Sequence, residues 1–164
     1  MKKTIAFLIS ISLLFSTFSV FAAEKTTENN TYGKKIINEE IEYYPDGSYT
    51  VITLTEDEGI TPRGTVYSKS GSKKFSHYDS NKLAWEFTVH GTFTVTTGVH
   101  AMCIASSYSV NISNNAWSNK SASTYEHSNQ AVGNATFTKK ILFVTTDTED
   151  CQVILYCDAN GQLS

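Results

Sequence analysis

The chain has 164 residues, with 13 Lys and Arg against 16 Asp and Glu, and a formal net charge of −3. That balance lacks the basic footprint a phosphate backbone demands, so nucleic acid is not an expected partner. Charged residues make up 18% of the chain while Ser, Thr and Asn are abundant, which suits extended β-structure with hydroxyl-rich faces better than a helical bundle.

Lys2 and Lys3 precede an apolar and hydroxyl-bearing stretch from Thr4 to Phe21, and Val20 and Ala22 are small residues at the positions a signal peptidase reads. Residues 1–22 therefore read as a secretory signal peptide cut after Ala22. A retained anchor is the rival reading, but the apolar run from Ile5 to Val20 falls short of the roughly 20 residues a span requires. Loss of Lys2 and Lys3 with the leader takes the net charge from −3 to −5. The mature protein is expected to be secreted and extracellular, with no membrane span after cleavage. Residues 23–38 are polar and aperiodic and read as a flexible leader; residues 39–164 suffice for one domain with a core, not two.

Within that domain, Glu39 to Tyr44 and Tyr49 to Leu54 read as a hairpin around Pro45-Asp46-Gly47, where Pro presets the backbone and Gly accepts positive φ. Short strands follow at Gly64 to Ser68 and Lys73 to Tyr78, with breaks at Ser70-Gly71 and at Asp79-Ser80-Asn81. Then Leu83, Trp85, Phe87, Val89, Gly91, Phe93 and Val95 alternate with polar or small residues, the period of a half-buried antiparallel strand. Thirteen residues would span roughly 43 Å at about 3.3 Å each, so Gly91 is expected to bend or bulge it. Further strands are expected at Met102 to Ile112, Trp117 to Tyr125, Ala135 to Val144 and Cys151 to Asp158, with Asn114-Asn115 and Thr146-Asp147 as turns. The spacing predicts an all-β fold, a single antiparallel β-sandwich of about eight or nine strands, with a barrel as the alternative.

The residues that could carry chemistry converge on no motif. His77, His90, His100 and His127 have no ligand spacing, so no metal site and no cofactor are expected. Asp147, Glu149 and Asp150 lack the spacing and the Gly of a calcium loop and read as an exposed acidic turn. There is no Gly-x-Ser-x-Gly elbow, and no catalytic residue is assigned; Glu86 with a distant acid is the one carboxylate pair left open. Exposed Tyr or Trp rings can stack on sugars, and Tyr43, Tyr44, Tyr78, Trp117 and Tyr125 are candidates, with Trp117 and Tyr125 singled out as ligand contacts.

Three cysteines leave one unpaired within the chain. Cys151 and Cys157 on one extended strand would stand roughly 20 Å apart, too far to bridge, so Cys103 takes one or the other.

The segment from Ser70 through Trp85, the run Thr88-Val89-His90-Gly91-Thr92-Phe93, the turn Ala116-Trp117-Ser118 and the ending Cys157-Asp158-Ala159-Asn160-Gly161 resemble a family of small secreted proteins of Gram-positive bacteria, many from gut communities. The resemblance implies a compact β-sandwich of unknown function and carries no catalytic residue across. It also implies cysteines at both Cys103 and Cys157, and so selects that pair for a disulfide. The expected function is a non-enzymatic binding or interaction module at or outside the cell surface, with a cell-wall or extracellular glycan, or a protein, as partner. A small secreted hydrolase with a loop-built site is the alternative, and an antagonistic, bacteriocin-like factor a third.

Overall fold

The structure, a computed structural model, describes residues 33–58 and 64–164. The expected signal peptide and most of the polar leader lie outside these residues. Among them are eight strands and no helix: β1 (Lys34–Tyr43), β2 (Tyr49–Asp57), β3 (Val66–Asp79), β4 (Lys82–Thr96), β5 (His100–Ile112), β6 (Trp117–His127), β7 (Gln130–Ile141) and β8 (Val144–Tyr156). All pairings are antiparallel between consecutive strands, giving one sheet in the order β1-β2-β3-β4-β5 and a second in the order β6-β7-β8. The expected all-β sandwich is the observed architecture.

The period-two pattern of β4 is the spine of the core. Trp85, Phe87, Val89, Phe93 and Val95 are all buried, and they face Ala131, Ala135, Phe137, Val153 and Leu155 from β7 and β8. The two layers meet tightly at Gly133. A Cβ there would run into the Val89 side chain and come within 3.0 Å of the Phe87 ring. Glycine lets the sheets meet where a larger residue would force them apart.

Several boundaries differ from the expectation, each for an identifiable reason. β1 begins at Lys34, inside the stretch assigned to the leader, because residues from Lys34 pair along β2 as far as Asp57. Ser70-Gly71 does not break the chain: β3 runs unbroken through it. Gly71 pairs with Gly91, and a Cβ at Gly71 would meet the backbone of Thr55 at 2.5 Å and the side chain of Leu163. Gly91 is likewise a packing glycine, its missing Cβ leaving room for the Phe93 ring, while the irregularity falls one residue later, where the register with β5 slips between Thr92 and Phe93. The turn expected at Thr146-Asp147 lies instead at Leu142 and Phe143, both at positive φ. After β8 the chain folds back, Cys157 bridging to Leu163, with the Asp158 carboxylate accepting from the backbone N–H groups of Asn160 and Gln162 at 2.8 Å each.

The five-stranded sheet is wider than the three-stranded one. β5 and β6 lie side by side, joined by the Cys103 N–H to Ser128 carbonyl bond and by Ser106 donating to Glu126. At the other side β8 is the free edge of the small sheet, and β1 and β2 extend beyond it. The sandwich is open between β2 and β8, and a cleft forms there.

Candidate functional site

The cleft has a volume of about 610 Å³. One wall is the β1–β2 turn and the start of β2, contributing Tyr44, Asp46, Ser48 and Thr50. The other is the first half of β8, with Asp147, Glu149, Asp150 and Gln152. Phe75 and Trp85 form part of the lining. The position of Glu149 follows from strand geometry. Alternate residues Leu155, Val153 and Cys151 of β8 face the core, and the next one along is Glu149. A carboxylate therefore occupies the last core-facing position of the strand, opposite Phe137.

Behind it stands His77, which pairs with Thr50 on one side and Trp85 on the other within the large sheet. It is 1% exposed and enclosed by aromatic rings. Trp85 stacks on it at 5.0 Å, Trp117 meets it edge-on at 5.6 Å, and Phe137 stacks on the far face of Trp85 at 3.9 Å. The Tyr44 hydroxyl donates to Thr50 Oγ1 at 3.3 Å, and Thr50 Oγ1 stands 3.4 Å from His77 Nδ1. Thr50 Oγ1 can accept from Tyr44 and His77 together, so Thr50 donates to Nδ1 or accepts from it according to whether Nδ1 or Nε2 of the imidazole carries the hydrogen. That Nε2 is 3.4 Å from Glu149 Oε1, within ion-pair range, yet no hydrogen bond of proper geometry satisfies it.

Burial governs the charges here. It pushes the Glu149 carboxyl up to about 7, reinforced by the negative charges of Asp147, Asp46 and Asp79 and only partly offset by Lys139. Burial also holds His77 below its usual value, against the opposing pull of Asp79, Asp46 and Asp147. Both shifts favour the neutral forms, as a low-dielectric setting dictates. Lys139 pairs with Asp79 at the margin of this region and lies 5.7 Å from the Trp117 ring centroid. Asp46, held low by the Ser48 hydroxyl and N–H, stays ionised.

The two shifts act on stability in opposite directions. Glu149, raised in the fold, contributes stability that is complete below its unfolded value near 4.5 and lost as pH rises through about 7. His77, lowered in the fold, contributes stability that is lost as pH falls below about 6.5, where the unfolded chain takes up a proton first. We expect Glu149→Gln to match wild type near pH 5 and to exceed it by about 1–2 kcal/mol at pH 8, allowing for the partial exposure of the side chain. Urea denaturation at the two pH values measures this; equal stability differences at both would remove Glu149 as the titrating group.

The residues singled out from sequence are dispersed. Trp117 is 4% exposed and packs edge-on against His77 and Trp85, which places it in the core rather than among the residues lining the cleft. Tyr125 is 48% exposed on β6, outside the cleft. Tyr43, Tyr49 and Tyr78 form a cross-strand row, the last two stacked at 4.8 Å. Glu86 lies on the opposite face of β4 from the core, with its carboxyl held low first by Asn111, then by Lys74 and Ser76, and no second acid is paired with it. Asp147, Glu149 and Asp150 are strand residues lining the cleft and not a turn, with Asp147 and Asp150 exposed as expected and Glu149 half-buried. His90 is half-buried and His100 and His127 are exposed. Among the described residues no group of three His, Cys, Asp or Glu is placed to hold a metal ion.

All three cysteines are free thiols in the structure, Cys103 and Cys157 buried and Cys151 half-buried. Cys103 and Cys157 flank the β6–β7 turn: the Cys103 N–H donates to the Ser128 carbonyl at 2.8 Å and the Cys157 N–H to the adjacent Asn129 carbonyl at 3.0 Å. Burial raises all three thiols, Cys157 to about 11 and Cys151 to about 12.

No family model, no curated protein and no solved structure matches the chain. None of the three comparisons supports the family resemblance.

Proposed function

We propose that the protein is a non-enzymatic binding module acting at or outside the cell surface, and that the cleft between β2 and β8 takes an extracellular or cell-wall glycan. The observation that carries this reading is a cleft whose lining sets the Tyr44 ring against the polar side chains of Asp147, Glu149 and Gln152, with the buried His77 standing behind Glu149. Ligand sites combine an apolar lining with a few convergent polar groups, and sugars suit such a mixture because their C–H faces pack on rings while their hydroxyls donate to carboxylates. Tyr44 offers its ring, and Asp147, Glu149 and Gln152 offer the polar partners. Binding of the mature domain to a glycan array and to purified cell walls tests the reading. Retention by wild type, reduced at least tenfold in Tyr44→Ala and in Glu149→Gln, is the expected result. Retention unchanged in both variants, or none in wild type, would refute it.

A second reading, a small hydrolase, draws on one specific arrangement. Thr50, His77 and Glu149 stand in line at 3.4 Å and 3.4 Å, the order of a nucleophile, a base and an orienting acid. It ranks second because Thr50 is 2% exposed and its oxygen is already engaged by Tyr44, so no substrate carbonyl reaches it in this conformation. Turnover of ester or glycoside substrates that is abolished in Thr50→Val would reverse the ranking.

A further inference from the structure

The turn between β7 and β8 breaks two rules at once. Ile141 pairs with Val144, leaving Leu142 and Phe143 as the central residues of a two-residue hairpin. Both have positive φ, 49° and 69°, the conformation of a type I′ turn that Asn and Gly adopt readily and bulky side chains adopt only under strain. Both are also almost wholly in solvent, Leu142 at 87% and Phe143 at 100% exposure, with Ile141 and Val144 more than half exposed beside them. Four consecutive apolar residues at a hairpin tip gain nothing from the fold that bears them, and the strained backbone adds a cost that Asn-Gly would avoid. Neither core packing nor turn chemistry accounts for Leu and Phe at these positions.

We propose that this tip is a membrane-interface anchor, inserting Ile141, Leu142, Phe143 and Val144 into the headgroup and acyl boundary of a lipid bilayer. The shape selects a lipid partner. The apolar side chains crown a two-residue turn whose outermost ring is wholly in solvent, and a protein partner would need a preformed pocket to receive them. A fluid bilayer closes around a protruding tip without a preformed pocket. Of the charges on this hairpin Lys140 stands next to the tip, where it reaches the headgroups with its stem along the apolar layer, while Asp147 and Asp150 stand three and six residues behind Val144 on β8. Lys139 is already committed to Asp79, so Lys140 is the cation free to meet anionic lipid. The β1–β2 turn lies at the same end of the sandwich, so insertion would hold the cleft close to the membrane surface.

The test uses the mature chain and unilamellar vesicles of phosphatidylcholine alone or mixed equally with phosphatidylglycerol, separated by flotation. Wild type is expected to float with both compositions, because the apolar tip supplies the attachment. The double variant Leu142→Asn/Phe143→Gly supplies the residues the turn prefers; it is expected to melt no lower than wild type and to lose vesicle binding at least tenfold. Phe143→Trp should report insertion through a blue shift in its emission on adding mixed vesicles. Failure of wild type to float, or undiminished flotation of the double variant, would overturn the proposal. So would a concentration-dependent dimer in wild type that the double variant loses without any vesicle binding, because the tip would then dock a second copy of this chain.

Discussion

Phe137→Ala should destabilise the protein by about 3–5 kcal/mol, a large share of the roughly 5–15 kcal/mol that holds a domain folded. Phe137 is fully buried in the middle strand of the small sheet, and its ring lies parallel to that of Trp85 at 3.9 Å, with His77 on the far face of the same indole. Truncation removes one leaf of that stack and leaves a cavity between layers that other contacts hold in place, so the site collapses only partly. Phe137→Leu keeps most of the volume but loses the stacking, and should cost less than half as much. Because Phe137 is the cross-strand partner of Glu149, the Ala variant should also admit water behind the carboxyl and bring its titration back toward the ordinary range. Urea denaturation gives the stability. A loss under 1 kcal/mol for Phe137→Ala would mean that the two sheets do not share this stack.

The second large effect concerns the cysteines. We propose that export to an oxidising compartment joins Cys103 to Cys157, two thiols losing their protons and two electrons to a disulfide oxidant such as an exported thiol oxidoreductase. The two residues flank the Ser128-Asn129 turn through backbone bonds to adjacent carbonyls, and both side chains belong to the core cluster. Their raised thiols are poor nucleophiles once buried, so the bond should form before the last strand docks rather than in the finished fold. A loop of more than fifty residues closed this way stabilises by about 3–4 kcal/mol in the chain-entropy model. Cys157→Ser should therefore cost that much more in oxidised protein than in reduced protein. Peptide mapping of exported, non-reduced protein should yield a Cys103–Cys157 fragment; a Cys103–Cys151 fragment or three free thiols would dismiss the pairing.

What the sequence made legible was the part of the fold dictated by alternation. β4 could be read residue by residue because burial on one face requires period two, and Trp85 through Val95 obey it. Turns with conventional chemistry, such as Pro45-Asp46-Gly47 and Ser80-Asn81, were equally plain. The misreadings have local causes. Ser70-Gly71 looks like a turn, but Gly71 is there so that the β2 backbone and Leu163 can approach. Leu142-Phe143 looks like strand because nothing polar marks it, while tertiary context drives both residues to positive φ. The acids of β8 read as a turn in the sequence because Thr146-Asp147 resembles one more than Leu142-Phe143 does. With that turn moved, continuing the alternation from Leu155 through Val153 and Cys151 lands on Glu149, and the cleft carboxylate becomes predictable. Its approach to His77 was not, because strands β3 and β8 belong to different sheets and only the packing between layers brings them together.

The central claim is that the opening between β2 and β8 is where a glycan binds. Chemical-shift mapping on isotope-labelled mature protein, titrated with solubilised cell-wall fragments, addresses it directly. The account predicts shifts concentrated at Tyr44 to Thr50, His77 and Asp147 to Gln152, with Tyr125 unaffected. Shifts centred on Tyr125 or on the Tyr43-Tyr49-Tyr78 row, or none at saturating fragment, would contradict it.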